Sequence, residues 1–289
     1  MKPPPFDFLR AESLVDVWDA LNTDADVKLI AGGQSLVPLL SLRFASPSTL
    51  VDISGLHELR GVESDGKILR LGALTRHVDV ETHPLVKAHA PLLARAASWV
   101  AHAQIRNRGT IGGSVAHGDA AAELPAALLA LDATVIAWSR EGERRIPATE
   151  FFESFFTTAL TAKELIAGVE LPIGRKESAW AFEEFARRRG DYAIGGAAVY
   201  VEATDGGVCQ AARAGLIAAG PAPCLAPGID EVLVGHRVDT ALIRQAVAVS
   251  MRRITPSANV HGSADYRAKV IGEMLRRALT SAFDIGEAS

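Results

Sequence analysis

Cysteine is scarce in this chain: 289 residues contain only Cys209 and Cys224. Two thiols cannot make a disulfide framework, a four-cysteine zinc site or an iron–sulfur cluster. Any electron chemistry therefore needs an organic cofactor or a metal held by a partner. An excess of charge is lacking too. Thirty Lys and Arg stand against 34 Asp and Glu, a net charge of −4, which excludes the basic field that gathers nucleic acid. The densest basic run, Arg187-Arg188-Arg189, reads as a solvated run or as a docking or ligand edge. No apolar run reaches the roughly 20 residues of a membrane span, and the N-terminal MKPPPFDFLR lacks an apolar signal core. A cytoplasmic protein is expected. Several nucleotide and hydrolase motifs are missing: G-x-G-x-x-G, G-x-x-x-x-G-K-[ST], G-x-S-x-G and H-E-x-x-H. Their absence removes the fingerprints of a Rossmann site, a P-loop, a nucleophile elbow and a zinc protease.

What is present reads as alternating helices and strands. Ser13 is a candidate helix N-cap ahead of the apolar stripe Leu14, Val17, Trp18 and Leu21. Short strands are expected over residues 27–31, 50–53, 68–72, 134–138 and 165–171. Helices are expected over 85–100 and 123–131, the latter with Pro125 tolerable in its first turn. The pattern changes near Pro172-Ile173-Gly174-Arg175. Beyond it a strand over 197–203, a hairpin signal at Asp205-Gly206-Gly207, a Pro-rich stretch over 221–227 and helices over 241–254 and 265–283 are expected. Domains over 1–174 and 175–289 follow, the first with subdomains of about 1–55 and 56–174. Trp18 and Trp99 read as core residues, and Trp138 and Trp180 as strand residues.

Two glycine-rich segments carry the chemistry, Ala31-Gly32-Gly33-Gln34-Ser35 and Thr110-Ile111-Gly112-Gly113-Ser114. Each has adjacent glycines followed by a small polar residue or one further on, between apolar flanks. Glycine allows φ > 0 and a close approach of backbone N–H groups to a ligand, successive N–H groups bind anions, and the Ser35, Thr110 and Ser114 hydroxyls can donate. Two such segments on one ligand suit a diphosphate, although a Gly-Gly turn alone is commonly structural. His117 and Asp119 stand two apart, without the further ligands a metal site needs, and read as polar lining.

The strings AGGQSLVPLLSLRF (31–44) followed by LVDI (50–53), IRNRGTIGGSVAHGDAAAELPAALLALDA (105–133) and RRGDYAIGGAAV (188–199) resemble, in order and across nearly the whole chain, the FAD-binding medium subunits of molybdenum hydroxylases. The resemblance implies an α+β fold: a two-subdomain FAD domain of the vanillyl-alcohol-oxidase (PCMH) type, then a small C-terminal α+β domain with a three-stranded antiparallel sheet. It implies FAD as cofactor, held by Ala31, Gly32, Gly33, Gln34, Ser35 and Leu36, by Ala101, and by Thr110, Ile111, Gly112, Gly113 and Ser114. Glu123 falls where the family usually bonds FAD hydroxyls through an aspartate. Ile166 falls where an apolar residue touches the cofactor, and Tyr192 where a tyrosine lies beside the isoalloxazine ring. No residue of the chain is expected to be catalytic by itself or to bind metal.

The resemblance also implies partners: a small subunit with 2Fe-2S clusters and a large molybdopterin subunit, in a heterotrimer that can double about a two-fold axis. The chain would take electrons from the iron–sulfur partner and pass them to an external acceptor. Glu183 stands where xanthine dehydrogenase types have lysine, and Gln34 where the carbon monoxide enzymes often have histidine; both departures leave the acceptor open. Two cysteines exclude the branch with an additional cluster-binding insertion. The competing readings are a stand-alone FAD reductase of the same fold, like UDP-N-acetylenolpyruvylglucosamine reductase, and a module that has lost its cofactor.

Overall fold

The computed structural model describes residues 2–23, 25–174 and 178–284. Arg175, with which the second domain is expected to begin, lies outside them.

The chain opens with β1 (Asp7–Arg10), α1 (Leu14–Leu21), β2 (Val27–Ile30), α2 (Leu36–Leu42) and β3 (Thr49–Asp52). Ser13 caps α1 through a reciprocal capping box with Asp16. The three strands form a parallel sheet in the order β1-β3-β2. β1 was not evident from the sequence because all four of its residues are exposed and no alternation marks it.

Next come β4 (Val62–Ser64), β5 (Ile68–Gly72), α3 (His77–Thr82), α4 (Pro84–His89), α5 (Pro91–Ala97), α6 (Ala103–Arg106), α7 (Ile111–His117) and α8 (Glu123–Ala130). The single helix expected over 85–100 is two helices. Pro91 has no N–H to donate and disfavours helical geometry in the residue before it, and Ala90 sits at φ −140°, ψ 56°. The strands β6 (Thr134–Ser139), β7 (Gly142–Pro147) and β10 (Leu165–Pro172) complete a five-stranded sheet in the order β4-β5-β10-β6-β7. Between β7 and β10 lie α9 (Ala148–Phe151) and a small hairpin of β8 (Phe152–Ser154) and β9 (Thr157–Thr158).

β10 is buried on both faces. A register shift between Ile166 and Gly168 lets Leu165 and Ala167 join the core shared with Trp18 and Val51, while Ile166, Val169 and Leu171 face the main core.

The C-terminal part is a sheet of β11 (Ser178–Phe185), β12 (Gly195–Ala203), β13 (Cys209–Ile217) and β14 (Cys224–Leu225), backed by α10 (Ile229–Leu233), α11 (Thr240–Met251) and α12 (Ala264–Ala282). The three long strands are the expected antiparallel sheet. The two-residue β14 is an addition, kept short at the sheet edge by Pro223 and Pro227 on either side. The Asp205-Gly206-Gly207 turn joins β12 to β13, with Gly207 at φ +75°.

α8 is the keystone. Leu124 to Ala130 are all buried, as expected of a helix enclosed on every side, and each buried Leu there contributes roughly 1.5–3 kcal/mol. On one flank α8 meets the main core. On the other the C-terminal sheet lies so close that a Cβ on Gly215 would stand 1.9 Å from the Ala126 carbonyl oxygen. The N-terminus of α8 therefore opens where the layers meet. Trp99, expected in the core, is only partly buried at this junction. Its ring lies 6.0 Å from that of Phe182, with the guanidiniums of Arg95 and Arg189 at 5.5 and 5.4 Å from its centroid.

Candidate functional site

The first glycine segment leaves β2 at Ala31 and turns into α2. Gly33 sits at φ +72°, where a side chain is strained. Gln34 Nε2 donates to the Gly32 carbonyl at 2.9 Å and closes the turn. The N–H groups of Gly32, Gly33, Gln34 and Ser35 donate to no group among the described residues. Ser35 occupies the N-cap position of α2 but its hydroxyl makes no cap bond. Unpaired amides in succession, with a free hydroxyl beside them, form an anion-binding concavity.

The second segment is not a free loop, as its glycines suggested, but the first turn of α7. The Thr110 hydroxyl accepts from the Gly113 N–H at 3.1 Å. Ile111 N–H donates to Thr75 O at 3.0 Å and Gly112 N–H to Ala73 O at 2.9 Å. Gly112 is required by packing, since a Cβ there would lie 2.5 Å from the Ala73 Cβ. Gly113 is exposed and Ser114 half-buried, so this turn offers the Ser114 hydroxyl rather than a row of amides. His77 supports it from beneath. Burial lowers the His77 pKa to about 4, against the pull of its bond to Thr110. The neutral ring donates from Nε2 to the Thr110 carbonyl at 2.9 Å.

The two segments meet. A Cβ on Gly32 would fall 2.1 Å from the Arg108 carbonyl oxygen, two residues before Thr110. The first glycine segment thus packs directly on the backbone that leads into the second, through a contact that only glycine permits.

Ala101 adopts φ +41°, held by Arg106, whose Nη1 donates to the carbonyls of Val100 and Ala101 at 3.1 and 3.2 Å while Nε pairs with Glu81 at 2.9 Å. The Arg189-Gly190 turn packs here: a Cβ on Gly190 would stand 2.9 Å from the Ala101 carbonyl oxygen. Tyr192 follows, between β11 and β12. It is 76% exposed and so stands outside the core. Leu36 begins α2 and is half-buried. Ile166 is buried in the main core at 5% exposure, leaving little surface for a ligand.

Glu123 is the first residue of α8. Burial raises its pKa to about 7, and the nearby Asp119 adds to the effect. Glu184 was not singled out from the sequence. It lies two residues from Phe182 on β11 and so on the same face, toward α8. It is 8% exposed, its Oε2 has no partner, and burial with the added repulsion of Glu123 raises its pKa to about 8. Strand alternation from Phe182 was the signal that could have found it. Two carboxyls of this kind keep a proton near neutrality and can donate hydrogen bonds as well as accept them.

Among the described residues no helix is long and apolar enough to cross a membrane. Cys209 is buried and Cys224 partly buried, both as free thiols, and burial raises their pKa values to about 11.

Comparison with known proteins agrees with this geometry. Residues 4–174 match the family described as the FAD binding domain in molybdopterin dehydrogenase, and residues 180–282 match the CO dehydrogenase flavoprotein C-terminal domain. The chain is 44% identical to subunit alpha of the 6-hydroxypseudooxynicotine dehydrogenase complex of Paenarthrobacter nicotinovorans, over 98% of this chain and 96% of that one. Among solved structures it superposes on a chain of carbon monoxide dehydrogenase from Hydrogenophaga pseudoflava with a TM-score of 0.95 at 35% identity, covering 98% of this chain and 99% of that one. For quinoline 2-oxidoreductase from Pseudomonas putida 86 the TM-score is 0.92 at 38% identity, with 98% and 99% covered. Matching family descriptions along both parts of the fold, with full-length relatives that are dehydrogenase subunits, show that the chain belongs to the FAD-binding medium subunits of the molybdenum hydroxylases.

Proposed function

We propose that this chain holds the FAD diphosphate between the Gly32–Ser35 amides and the Thr110–Ser114 turn, and serves as the electron-exit subunit of a heterotrimeric molybdenum hydroxylase. The observation that carries this reading is the run of four unpaired backbone N–H groups at Gly32 to Ser35. A buried or half-buried amide without an acceptor is costly, and an anionic oxygen placed there satisfies several at once. The Ser35 and Ser114 hydroxyls add donors. Glu123 is placed to bond ribose or ribityl hydroxyls from the mouth of α8, and Tyr192 to lie against the flavin ring. Ala101 and Leu36 add the expected contacts, while Ile166, buried in the main core, supports them from behind.

Bound FAD supplies the ability to accept electrons singly and release them in pairs. The chain's own residues orient it. The amide row fixes the diphosphate end, while Tyr192, on the turn that packs on Ala101, fixes the face open to an acceptor. Two cysteines cannot hold a cluster relay; membership of this family supports a 2Fe-2S small subunit as the donor and a molybdopterin large subunit as the place where the substrate is oxidised. Two heterotrimers related by a two-fold axis form the full assembly, in the usual closure of oligomers, and it resides in the cytoplasm. The FAD-binding and C-terminal domains divide near residue 174.

The test is to express the chain alone and with an iron–sulfur and a molybdopterin partner, and to identify the cofactor released by heat. FAD is expected in both preparations, and turnover of an organic substrate only in the assembly. Turnover by the lone chain, free of iron and molybdenum, would favour the stand-alone reductase instead.

A further inference from the structure

Arg267 lies in the first turn of α12, on the buried stripe that continues through Ile271, Met274 and Leu275. Its residue exposure is 8%. Its backbone N–H donates to Ser263 O at 3.0 Å, but its Nε is buried without a partner, and its guanidinium makes no hydrogen bond or ion pair with any described residue. Burial alone holds its pKa below the ordinary arginine value, with no carboxylate to offset it. The group nonetheless stays charged. A buried donor of a charged group left without an acceptor is costly.

This side chain lines a cleft of about 370 Å³, together with Tyr192, Phe156, Asp119, Asn259 and His261. That volume is in the range of small-molecule sites, which reach from about 300 Å³ upward. Asp119 Oδ1 accepts the Ala121 N–H at 2.8 Å in its own turn, and no hydrogen bond or ion pair joins this carboxylate to Arg267 among the described residues. Asn259 Oδ1 is likewise occupied, accepting the His261 N–H at 2.9 Å, which leaves the Asn259 amide NH2 as a donor. The Arg267 guanidinium and the Asn259 amide are the donors of this cleft, opposite the one carboxylate of Asp119, and Tyr192 and Phe156 give it aromatic walls.

We propose that Arg267 makes this cleft an anion site that takes a carboxylate or phosphate group of a small molecule, the acceptor that docks beside Tyr192. Planar guanidinium donors match either oxyanion in a two-point bond. That the ligand is the acceptor rests on the flavin lying beside Tyr192; that an anion binds does not.

The experiment compares wild type, Arg267→Lys and Arg267→Met as FAD-loaded chains and as the assembled complex. The probes are inorganic phosphate and benzoate, with chloride at matched ionic strength, and the readouts are melting temperature and the visible flavin spectrum. Wild type should show a saturable rise in melting temperature with phosphate or benzoate. Binding should weaken about tenfold or more in Arg267→Met, the loss expected of a charge-assisted pair, and less in Arg267→Lys. A perturbed flavin spectrum on binding supports the acceptor assignment. A chain that fails to load FAD counts against the cofactor reading, and the wild-type and Arg267→Met chains then still decide the anion site by melting temperature. Without anion, Arg267→Met should melt no lower than wild type, since an uncompensated charge has been removed. Equal responses in wild type and Arg267→Met would overturn the proposal. So would a lower melting point of Arg267→Met without anion, which marks a structural arginine. Loss of the response on assembly would also overturn it, because a partner's carboxylate then fills the site.

Discussion

The two glycine pairs look alike in sequence and do different work. At Gly32-Gly33 the backbone turns through φ +72° and leaves four N–H groups unpaired. At Gly112-Gly113 the backbone is helical, Gly112 N–H is bonded to Ala73, and the glycine is needed because Ala73 leaves no room for a Cβ. One pair leaves its backbone amides unpaired among the described residues; the other lets a helix approach a strand end. A motif of two glycines therefore signals an absence of side chain, and only the surroundings say whether ligand or protein fills the space.

The sharpest way to break that contrast is Gly32→Val, which strikes both segments because its side chain meets the Arg108 carbonyl. Such overpacking costs about 1–3 kcal/mol or more, and FAD should be nearly absent from the purified chain by absorbance ratio. Gly112→Ala is expected to come next: the new methyl meets Ala73 Cβ at 2.5 Å, so melting temperature should fall clearly while much of the FAD is retained. Gly33→Ala should do the reverse. The strain of a left-handed alanine is about 1–2 kcal/mol, so melting falls by only a few degrees, but FAD retention drops several-fold because the amide row is re-aimed. If Gly33→Ala and Gly112→Ala move both readouts in the same proportion, the two pairs share one role and the contrast fails.

The smallest expected effect concerns the carboxyl pair. The pKa values of Glu123 and Glu184 are raised to about 7 and about 8 from 4.5. The folded chain therefore holds these protons more tightly than the unfolded chain does. The stability linked to them is full below about 4.5 and declines as pH rises through 7 to 8. In FAD-free protein, Glu184→Gln should flatten that decline and stabilise the fold at pH 8 relative to wild type. An unchanged decline in the variant would show that Glu184 does not hold that proton.

The sequence made some features plain because they are local. The Ser13 cap, the Asp205-Gly206-Gly207 turn and α8 with Pro125 in its first turn all depend on residues within a few positions of one another. Other features depend on what lies across the fold. Pro91 split an apparently continuous helix through its effect on Ala90. The second glycine segment read as a loop because glycine weakens every local helix signal, whereas Thr110, His77 and Ala73 hold it as a helix start. Three long strands were expected in the C-terminal sheet, and the fourth hides between prolines. The resemblance pointed to Glu183, but strand alternation turns its neighbour Glu184 toward α8. No local signal singles out Arg267, although its spacing to Ile271 and Leu275 places it on the buried face.

The seating of Gly32 beneath the Arg108 carbonyl also has a kinetic consequence. The contact joins the small parallel sheet to the segment leading into α7, so a fluctuation that lifts the sheet uncovers both glycine segments together. Local opening of this kind sets hydrogen-exchange rates in folded proteins. Dissociation of the cofactor and amide exchange in β2 and β3 then share one gate, and a solvent or temperature that speeds one should speed the other by the same factor.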